Sequence, residues 1–437
     1  MSPSSALFTP ASRRVAVVAD SDTRWKWGAS VARELAPNHT LDAVFLRGRS
    51  TPTERQLAEV GIVPDRRREA AAAELVDDEE LAAADVVVLA VSGGTVLALA
   101  HALGLAWEGR RRRPVTVSGY VGVVYEKMVD GLMTRAGTDI VLANSAYDAE
   151  RFARAFASVG VDPESVVECA LPFLGGEPHR PSPDRPFTLT FAVQPSVPKD
   201  RDARLHLLGR AAAHARLHPE REVLVKLRSL PGEQTTHVEA NPYQVLVEEL
   251  PQPAPGNLRL VHGNMAEVLD RTDLLVTVSS TAALESMHRG IPTAILTDLG
   301  VREAHGNHYF LHSGCLASWD DLDAGALPRP LPEWAAVQGI GKPDPYAAAR
   351  HRLARLRAAG PLPPLRPYYT PRTAGAYLGP ILGRHGLDEQ GRPLPLPAAG
   401  SGRAGRAVRK VAGRGARKLY RMGHQKVAPT LRRWGAA

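Results

Sequence analysis

The sequence predicts an α/β protein with two Rossmann-like, doubly wound domains. With 437 residues, the chain is too long for one compact core. Short apolar runs of strand length alternate with helical segments in both halves, a pattern typical of parallel sheets covered by helices. A stretch rich in Pro and Gly at residues 172–186 lies between the halves and predicts a linker.

Apolar, β-branched runs predict the strands of the first half. Each run has strand length and suits a strand buried on both faces of a parallel sheet. The predicted strands are Val15–Ala19, Leu41–Leu46, Val86–Val91, Val115–Ser118 and Ile140–Ala143, and the predicted helices are Trp25–Leu35, Ala70–Ala84 and Gly93–Leu103.

Polar residues stand at the end of four of these strands. Because ligands of a doubly wound sheet bind outside the carboxyl ends of the strands, function is expected at these positions. The positions are Asp20, Ser21 and Asp22; Ser92, Gly93 and Gly94; Ser118, Gly119 and Tyr120; and Asn144 with Ser145.

The turn Ser92–Thr95 has two interpretations. A Gly pair before a helix can bind an anion, and it can equally allow a strand and a helix to pack closely. The spacing is not that of a dinucleotide-binding motif, and no acidic partner is suitably placed, so we do not predict NAD binding.

The second half repeats the alternation. Lys226 and Arg228 follow one strand, where two cations suit a diphosphate or a phosphodiester, although cations at a sheet edge can simply extend into solvent. The predicted strands are Thr188–Val193, Glu222–Leu227, Leu258–His262, Leu274–Val278 and Pro292–Leu296, and the predicted helices are Asp202–Ala213, Gly263–Asp270, Thr281–Arg289 and Tyr346–Ala359.

The turn after the strand Leu274–Val278 is the most informative stretch of the chain. Ser279, Ser280 and Thr281 bring three hydroxyl groups to the start of a helix, where free N–H groups also favour a phosphate. Glu285 lies one helical turn further on, where its carboxylate could accept hydrogen bonds from a ribose diol. The alternative is that a hydroxyl caps the helix and Glu285 is solvated.

Residues 279–285, followed by His-Arg-Gly-Ile-Pro and a strand, resemble the nucleotide-sugar segment of GT-B glycosyltransferases. The similarity is greatest to bacterial capsule, polysialyl- and teichoic-acid-type transferases, and it extends over residues 185–315. It implies two domains facing each other across a cleft, with the Ser/Thr turn on the donor phosphate and Glu285 on the ribose. In those enzymes a basic residue followed by His-Pro ends the strand that here ends in Lys226-Leu227-Arg228, so the His-Pro is missing.

The resemblance also implies roles for other residues. The N-terminal domain would bind the acceptor and supply a catalytic base, although each candidate carboxylate could instead be a cap or a surface group. His262 and Asn307 would lie on the donor side. The candidate bases are Asp20, Asp22, Glu126 and Asp130.

No cofactor and no metal are predicted. His305, His308 and His312 could be imagined as ligands, but no carboxylate or cysteine framework accompanies them. The only two cysteines, Cys169 and Cys315, form no disulfide framework, which fits a cytoplasmic protein. The N-terminus shows no signal peptide, and no apolar run approaches the roughly 20 residues of a membrane helix.

The positive charge of the chain lies in its last residues. The net charge is +8, but residues 401–437 contain no acidic residue and many Lys and Arg, which leaves the rest slightly acidic and disfavours specific nucleic-acid binding. Apolar residues among the cations of 403–433 suit an amphipathic helix on an anionic membrane, such as the inner face of the plasma membrane. A solvated tail, or one in nonspecific contact with nucleic acid, is the alternative.

The predicted domain bounds follow from these observations. The resemblance implies that residues 361–390 return to the first domain. The segments are a disordered N-terminus (1–12), an N-terminal acceptor domain (13–176), a linker (177–186), a C-terminal donor domain (187–360), the returning segment (361–390) and a polybasic tail (391–437).

The function implied is metal-independent transfer of a sugar from a nucleotide-sugar donor. The acceptor would be a polysaccharide, a lipid-linked glycan or another cell-envelope component. Two alternatives remain: a UDP-sugar epimerase of the same architecture, and a non-catalytic nucleotide- or sugar-binding protein held at the membrane by its tail.

Overall fold

A computed structural model describes residues 13–123, 128–228 and 239–395. The first domain contains a seven-stranded sheet in which every pair of neighbouring strands is parallel, in the order β3-β2-β1-β4-β5-β6-β7. Its strands are β1 (Arg13–Ala19), β2 (His39–Leu46), β3 (Arg66–Ala70), β4 (Val86–Ala90), β5 (Val115–Gly119), β6 (Ile140–Ala143) and β7 (Val166–Glu168).

The helices of this domain begin at side-chain caps. Ser21, Ser92 and Ser145 each follow a strand and accept a hydrogen bond from a backbone N–H in the first turn of the next helix, which ends the strand and starts the helix. The helices are α1 (Asp22–Leu35), α2 (Glu54–Val60), α3 (Glu79–Ala82), α4 (Gly93–Ala106), α5 (Met128–Met133) and α6 (Ala146–Ser158).

The predicted helix at Ala70–Ala84 is wrong. Strand β3, which was not predicted, ends at Ala70 and pairs with β2. A 3-10 helix at Ala72–Leu75 follows, and α3 then begins after Asp78, whose carboxylate accepts the Leu81 N–H. The alanine-rich composition favours a helix, but pairing at the sheet edge and the Asp78 cap divide the segment.

The second domain has a six-stranded parallel sheet in the order β10-β9-β8-β11-β12-β13. Its strands are β8 (Thr188–Ala192), β9 (Glu222–Lys226), β10 (Leu258–Val261), β11 (Leu274–Thr277), β12 (Thr293–Leu296) and β13 (Leu316–Ala317). Its helices are α7 (Arg201–Leu217), α8 (Tyr243–Leu246), α9 (Met265–Leu269), α10 (Ala282–His288), α11 (Trp319–Asp323) and α12 (Pro332–Val337).

The chain crosses back to the first domain earlier than the predicted bound at residue 360. Helix α13 (Ala347–Ala358) buries Leu353 in the core of the first domain. Just before it, the Tyr346 hydroxyl donates to the Ala170 carbonyl at 3.0 Å. Helix α14 (Pro371–Arg384) packs against α4. The assignment of α13 to the donor domain is therefore corrected, because its apolar face lies on the first sheet.

Both sheets have the strand order of a Rossmann fold, and their carboxyl edges face each other. The predicted class of two Rossmann-like domains in a GT-B arrangement is confirmed. The predictions for residues 1–12, 396–437 and Glu126 lie outside the described residues. In the part of the chain that is described, no helix is both long and apolar enough to cross a membrane.

Candidate functional site

Three contacts join the carboxyl edges of the two sheets and define the interdomain cleft. Arg228, just after β9, lies with its Nη2 3.3 Å from Oδ1 of Asp22 at the start of α1. Lys26 of α1 places its Nζ 3.6 Å from Oε2 of Glu285 in α10. Gly122 lies so close to Thr281 that a Cβ on this glycine would be 3.0 Å from Thr281 Cγ2. The strand ends of both domains therefore meet at one place.

Cations from both domains converge at this cleft. Lys226 is buried at the end of β9, and its Nζ donates to the Leu227 carbonyl at 2.6 Å. Burial lowers the pKa of Lys226 to about 8, Glu59 of α2 raises it in part, and the charges of Arg228 and Lys26 lower it further. Mutual repulsion among Lys226, Arg228 and Lys26 means that an anion bound between them would be stabilised.

The predicted hydroxyl cluster is only partly available to a ligand. Ser279 is buried, and its Oγ donates to the His305 carbonyl at 2.6 Å, so its predicted exposure to a donor phosphate is wrong. Ser280 Oγ accepts the Ala282 N–H at 3.2 Å, as a helix cap does. Among the described residues, Thr281 has no hydrogen-bond partner for its hydroxyl, and it faces the cleft beside Gly122.

Glu285 is buried and ion-paired. Burial raises its pKa, and Lys26 and then Arg289 oppose this effect. Arg289 is itself bound elsewhere, donating to the Gly175 carbonyl at 2.9 Å and to Asp270 at 2.6 Å. Lys26 therefore occupies the position that the ribose was predicted to take.

Asn307 and His262 differ in what they can bind. Asn307 is fully buried; its Nδ2 donates to the carbonyls of Leu296 and Gly300 at 3.1 Å, and its Oδ1 accepts the Arg302 N–H at 2.9 Å. Its predicted contact with the donor is wrong, because it instead fixes the loop after β12. His262, after β10, has a buried Nε2 without a hydrogen-bond partner among the described residues.

The candidate bases are mostly engaged. Asp20 Oδ1 lies 2.7 Å from Arg24 Nη1, and its other oxygen accepts the Ser92 N–H at 3.3 Å. Asp22 pairs with Arg228 across the cleft. Asp130 is exposed on α5. The structure therefore shows no free carboxylate at Asp20 or Asp22.

The turn after β4 serves packing and capping. A Cβ on Gly93 would lie 2.6 Å from Thr134 Oγ1, so a larger residue there would require Thr134 to move. Ser92 Oγ lies 2.7 Å from Thr95 Oγ1 at the start of α4. Of the two interpretations of this turn, close packing is the one that these distances support.

Lys26 was missed by the sequence analysis, whereas Asn144 was among the strand-end residues at which function was expected. Lys26 lies one helical turn after Asp22, a spacing that places both on one face of α1, and this could have been noticed. Asn144, after β6, donates to the carbonyls of Tyr120 at 2.7 Å and Gly122 at 3.1 Å. It thereby holds residues 120–122, the cleft loop, against the second domain.

In the described residues, no group of three His, Cys, Asp or Glu side chains is close enough to hold a metal ion.

Comparisons with known proteins agree with this geometry. The family model described as "Putative glycosyltransferase (DUF6716)" matches residues 15–356, which is most of the chain. The comparison with curated proteins gives no match.

Several solved structures are similar to the chain at low identity. UDP-GlcNAc 2-epimerase from Neisseria meningitidis, bound to UDP-GlcNAc, is 13% identical, with 79% of this chain and 98% of that chain covered and a TM-score of 0.45. MurG from Acinetobacter baumannii is 15% identical, with 79% and 99% covered and a TM-score of 0.40. The lipopolysaccharide outer core galactosyltransferase WaaB is 10% identical, with 78% and 99% covered and a TM-score of 0.43. Similarity at this level transfers neither substrate nor mechanism.

Proposed function

The chain belongs to this family of glycosyltransferases, and we propose that it moves a sugar from a nucleotide-sugar donor to a glycan or lipid-linked acceptor of the cell envelope. The donor phosphates would lie between Lys226, Arg228 and Lys26, without a metal ion. The sugar would point to the N-terminal domain, where the acceptor binds.

The convergence of cations around the buried Lys226 is the observation that carries this proposal. Among the described residues its Nζ makes one hydrogen bond, so further N–H donors are available for a ligand. Burial and the neighbouring cations lower the pKa of Lys226 to about 8, which means that its ammonium charge is destabilised when no anion is bound. A phosphate would reverse this penalty by neutralising the cations and accepting their hydrogen bonds.

The ion pairs across the cleft support a role for Lys26 and Glu285 in the binding step. When the donor binds, the Lys26 ammonium would leave the Glu285 carboxylate and pair with a donor phosphate instead. The carboxylate of Glu285 would then be free to accept hydrogen bonds from the ribose hydroxyls, and Thr281 would donate to the phosphate. In the transfer step, the fixed cations would stabilise the negative charge that develops on the departing nucleotide.

The acceptor side is the cleft loop and the strand ends around it. Residues 403–433 would bring this side to an anionic membrane, where a lipid-linked acceptor would be found. A membrane-bound acceptor would not require a transmembrane helix, since a polybasic segment near the surface contributes about 1 kcal/mol for each Lys or Arg.

A thermal-shift screen with CMP, CDP, UDP and GDP tests the donor site directly. One nucleotide should stabilise the wild-type protein by ligand linkage, and Lys226→Met should lose this stabilisation. Arg259→Met is the matched control, since Arg259 is an exposed cation on the neighbouring strand β10, with 67% of its side chain accessible. No stabilisation by any of the four nucleotides would contradict the proposal.

Turnover distinguishes transfer from the alternatives. A UDP-sugar epimerase would interconvert UDP-sugars without any acceptor, and a binding protein would show nucleotide-linked stabilisation without turnover. Nucleotide release that depends on an added acceptor is expected only of a transferase.

A further inference from the structure

Arg228 reaches the proposed donor site from the end of β9, and the opposite domain holds its side chain. Its Nη2 lies 3.3 Å from Oδ1 and 3.4 Å from Oδ2 of Asp22, and it also donates to the hydroxyl oxygen of Thr23. Asp22 and Thr23 are the first two residues of α1. One nitrogen of the guanidinium is therefore fixed by acceptor atoms from across the cleft.

The other nitrogens of Arg228 remain available for a ligand. Nε and Nη1 make no hydrogen bond with a described residue, and 28% of the side chain is accessible to solvent. A guanidinium presents its N–H groups on different edges of one plane, so it can bind a carboxylate on one edge and a phosphate on another. The contact with the first domain therefore leaves the donors that a phosphate requires.

The start of α1 keeps these acceptor atoms in place. Ser21 caps the helix by accepting the Arg24 N–H at 3.4 Å, so the Asp22 side chain is not needed as the cap. The Thr23 hydroxyl donates to Asp22 Oδ1 at 3.4 Å. The helix dipole also favours a carboxylate in the first turn. Asp22 and Thr23 therefore form a fixed pair of acceptors for the guanidinium.

The contacts of Asp22 are those of a residue that orients another side chain. Both of its oxygens face Arg228 Nη2, whereas a general base needs an oxygen directed at the acceptor hydroxyl. A free arginine loses rotamer freedom when it binds a phosphate, and holding it in advance removes part of this entropic cost. Asp22 can therefore raise the affinity for the donor without contacting it.

We propose that Asp22, together with Thr23, is a positioning residue that holds Arg228 in the conformation that binds a donor phosphate. Asp22 acts through the arginine and takes no proton from the acceptor. The affinity for the donor thereby depends on the first domain, although Arg228 belongs to the second. This inference rests on the proposed function, because it concerns the same donor phosphates.

A double-mutant cycle on nucleotide affinity tests the assignment. The probe is the nucleotide among CMP, CDP, UDP and GDP that most stabilises the wild-type protein, and its Kd is measured by isothermal titration calorimetry. Asp22→Asn and Arg228→Met should each raise Kd by about tenfold or more, the effect of losing a charge-assisted hydrogen bond. The double variant should bind no more weakly than Arg228→Met alone, because Asp22 then has no side chain to position.

Matched variants separate positioning from a general effect of charge or folding. Asp202→Asn removes a carboxylate from the first turn of α7, where 90% of the side chain is exposed, and should leave Kd unchanged. Thr23→Val keeps the side-chain shape, lacks the hydroxyl and should raise Kd by a smaller factor than Asp22→Asn. Asp22→Glu keeps a carboxylate and should recover part of the affinity. Thr23→Val also keeps the test decisive if Asp22→Asn folds poorly.

Three results would overturn the inference. Asp22→Asn could weaken binding equally in the wild-type and Arg228→Met backgrounds, which would mean that it does not act through the arginine. It could leave Kd unchanged or lower it, which would mean that the ion pair does not favour binding. It could reduce acceptor-dependent nucleotide release at an unchanged Kd, which would make Asp22 the base. A wild-type protein that binds none of the four nucleotides would instead contradict the proposed donor site itself.

Discussion

Replacing Lys226 by Met should make the protein more stable and unable to bind its donor. The pKa of Lys226 is lowered from 10.5 to about 8, mainly by burial. Because each pKa unit corresponds to about 1.4 kcal/mol, the buried ammonium costs the folded state about 3 kcal/mol at pH 7. Met removes this cost while keeping most of the volume, so the free energy of unfolding at pH 7 should rise by up to about that amount.

The pH dependence of stability tests separately whether the charged form of Lys226 destabilises the folded state. Between pH 8 and 10.5 the unfolded chain holds a proton on Lys226 that the folded protein has lost. Wild-type stability should therefore increase with pH in this window, and the increase should be smaller in Lys226→Met.

Urea unfolding at pH 7 and at pH 10, with and without the stabilising nucleotide, measures both effects. At a concentration of 100 Kd, a nucleotide should stabilise the wild-type protein by about 2.7 kcal/mol and the variant by nearly nothing. The reasoning is refuted if Lys226→Met is less stable than wild type at pH 7, or if it keeps the full stabilisation by nucleotide.

Three further predictions follow from the same geometry. Lys26→Met leaves Glu285 buried without its cation, so the free energy of unfolding should fall by about 1–3 kcal/mol at pH 8. The fall should be smaller at pH 5, because the raised pKa of Glu285 favours its protonated form there. Urea titration at both pH values checks this, and an equal loss at both would contradict it. For Asp148, burial raises the pKa from 3.8 to about 6, so wild type should lose about 3 kcal/mol as the pH rises from 4 to 7. Asp148→Asn should lack that loss, and the same titration would show it. Asn144→Ala removes two hydrogen bonds to the cleft loop, so it should lower stability by about 2 kcal/mol in chemical denaturation and weaken acceptor use more than nucleotide binding.

The sequence predicts the fold class well because strand length and buried apolar runs are local properties. Ile140–Ala143 is found as predicted, and most other strands differ by a residue or two. The short strands β3, β7 and β13 were not predicted, since they lie toward the sheet edges, and the Arg-rich β3 has no apolar run. A strand of that kind is specified by its neighbour in the sheet, which the local sequence does not show.

The candidate site, like the fold, was predicted where the local sequence is informative and not where distant residues decide. A strand end followed by polar residues is visible in the sequence, and Lys226 and Arg228 do lie at the cleft. The direction of each side chain depends on the opposite domain or on a distant loop. Ser279 binds the carbonyl of His305, and Asn307 binds backbone groups on its own loop, so neither residue reaches the cleft as the resemblance implied.

The residues that bridge the two domains were the hardest to find, and the reason is physical. An ion pair such as Lys26 with Glu285 joins residues of two separately folding sheets, and neither partner shows a pattern by itself. Both residues stand in helices that bury several apolar side chains, and a charge on the buried side of such a helix is stabilised by a partner from outside the helix. A charged residue on the buried face of a helix that follows a strand end is therefore informative, because it indicates that a second domain or a ligand covers that face. In this chain Lys26 and Glu285 are such residues, and they pair with each other across the cleft.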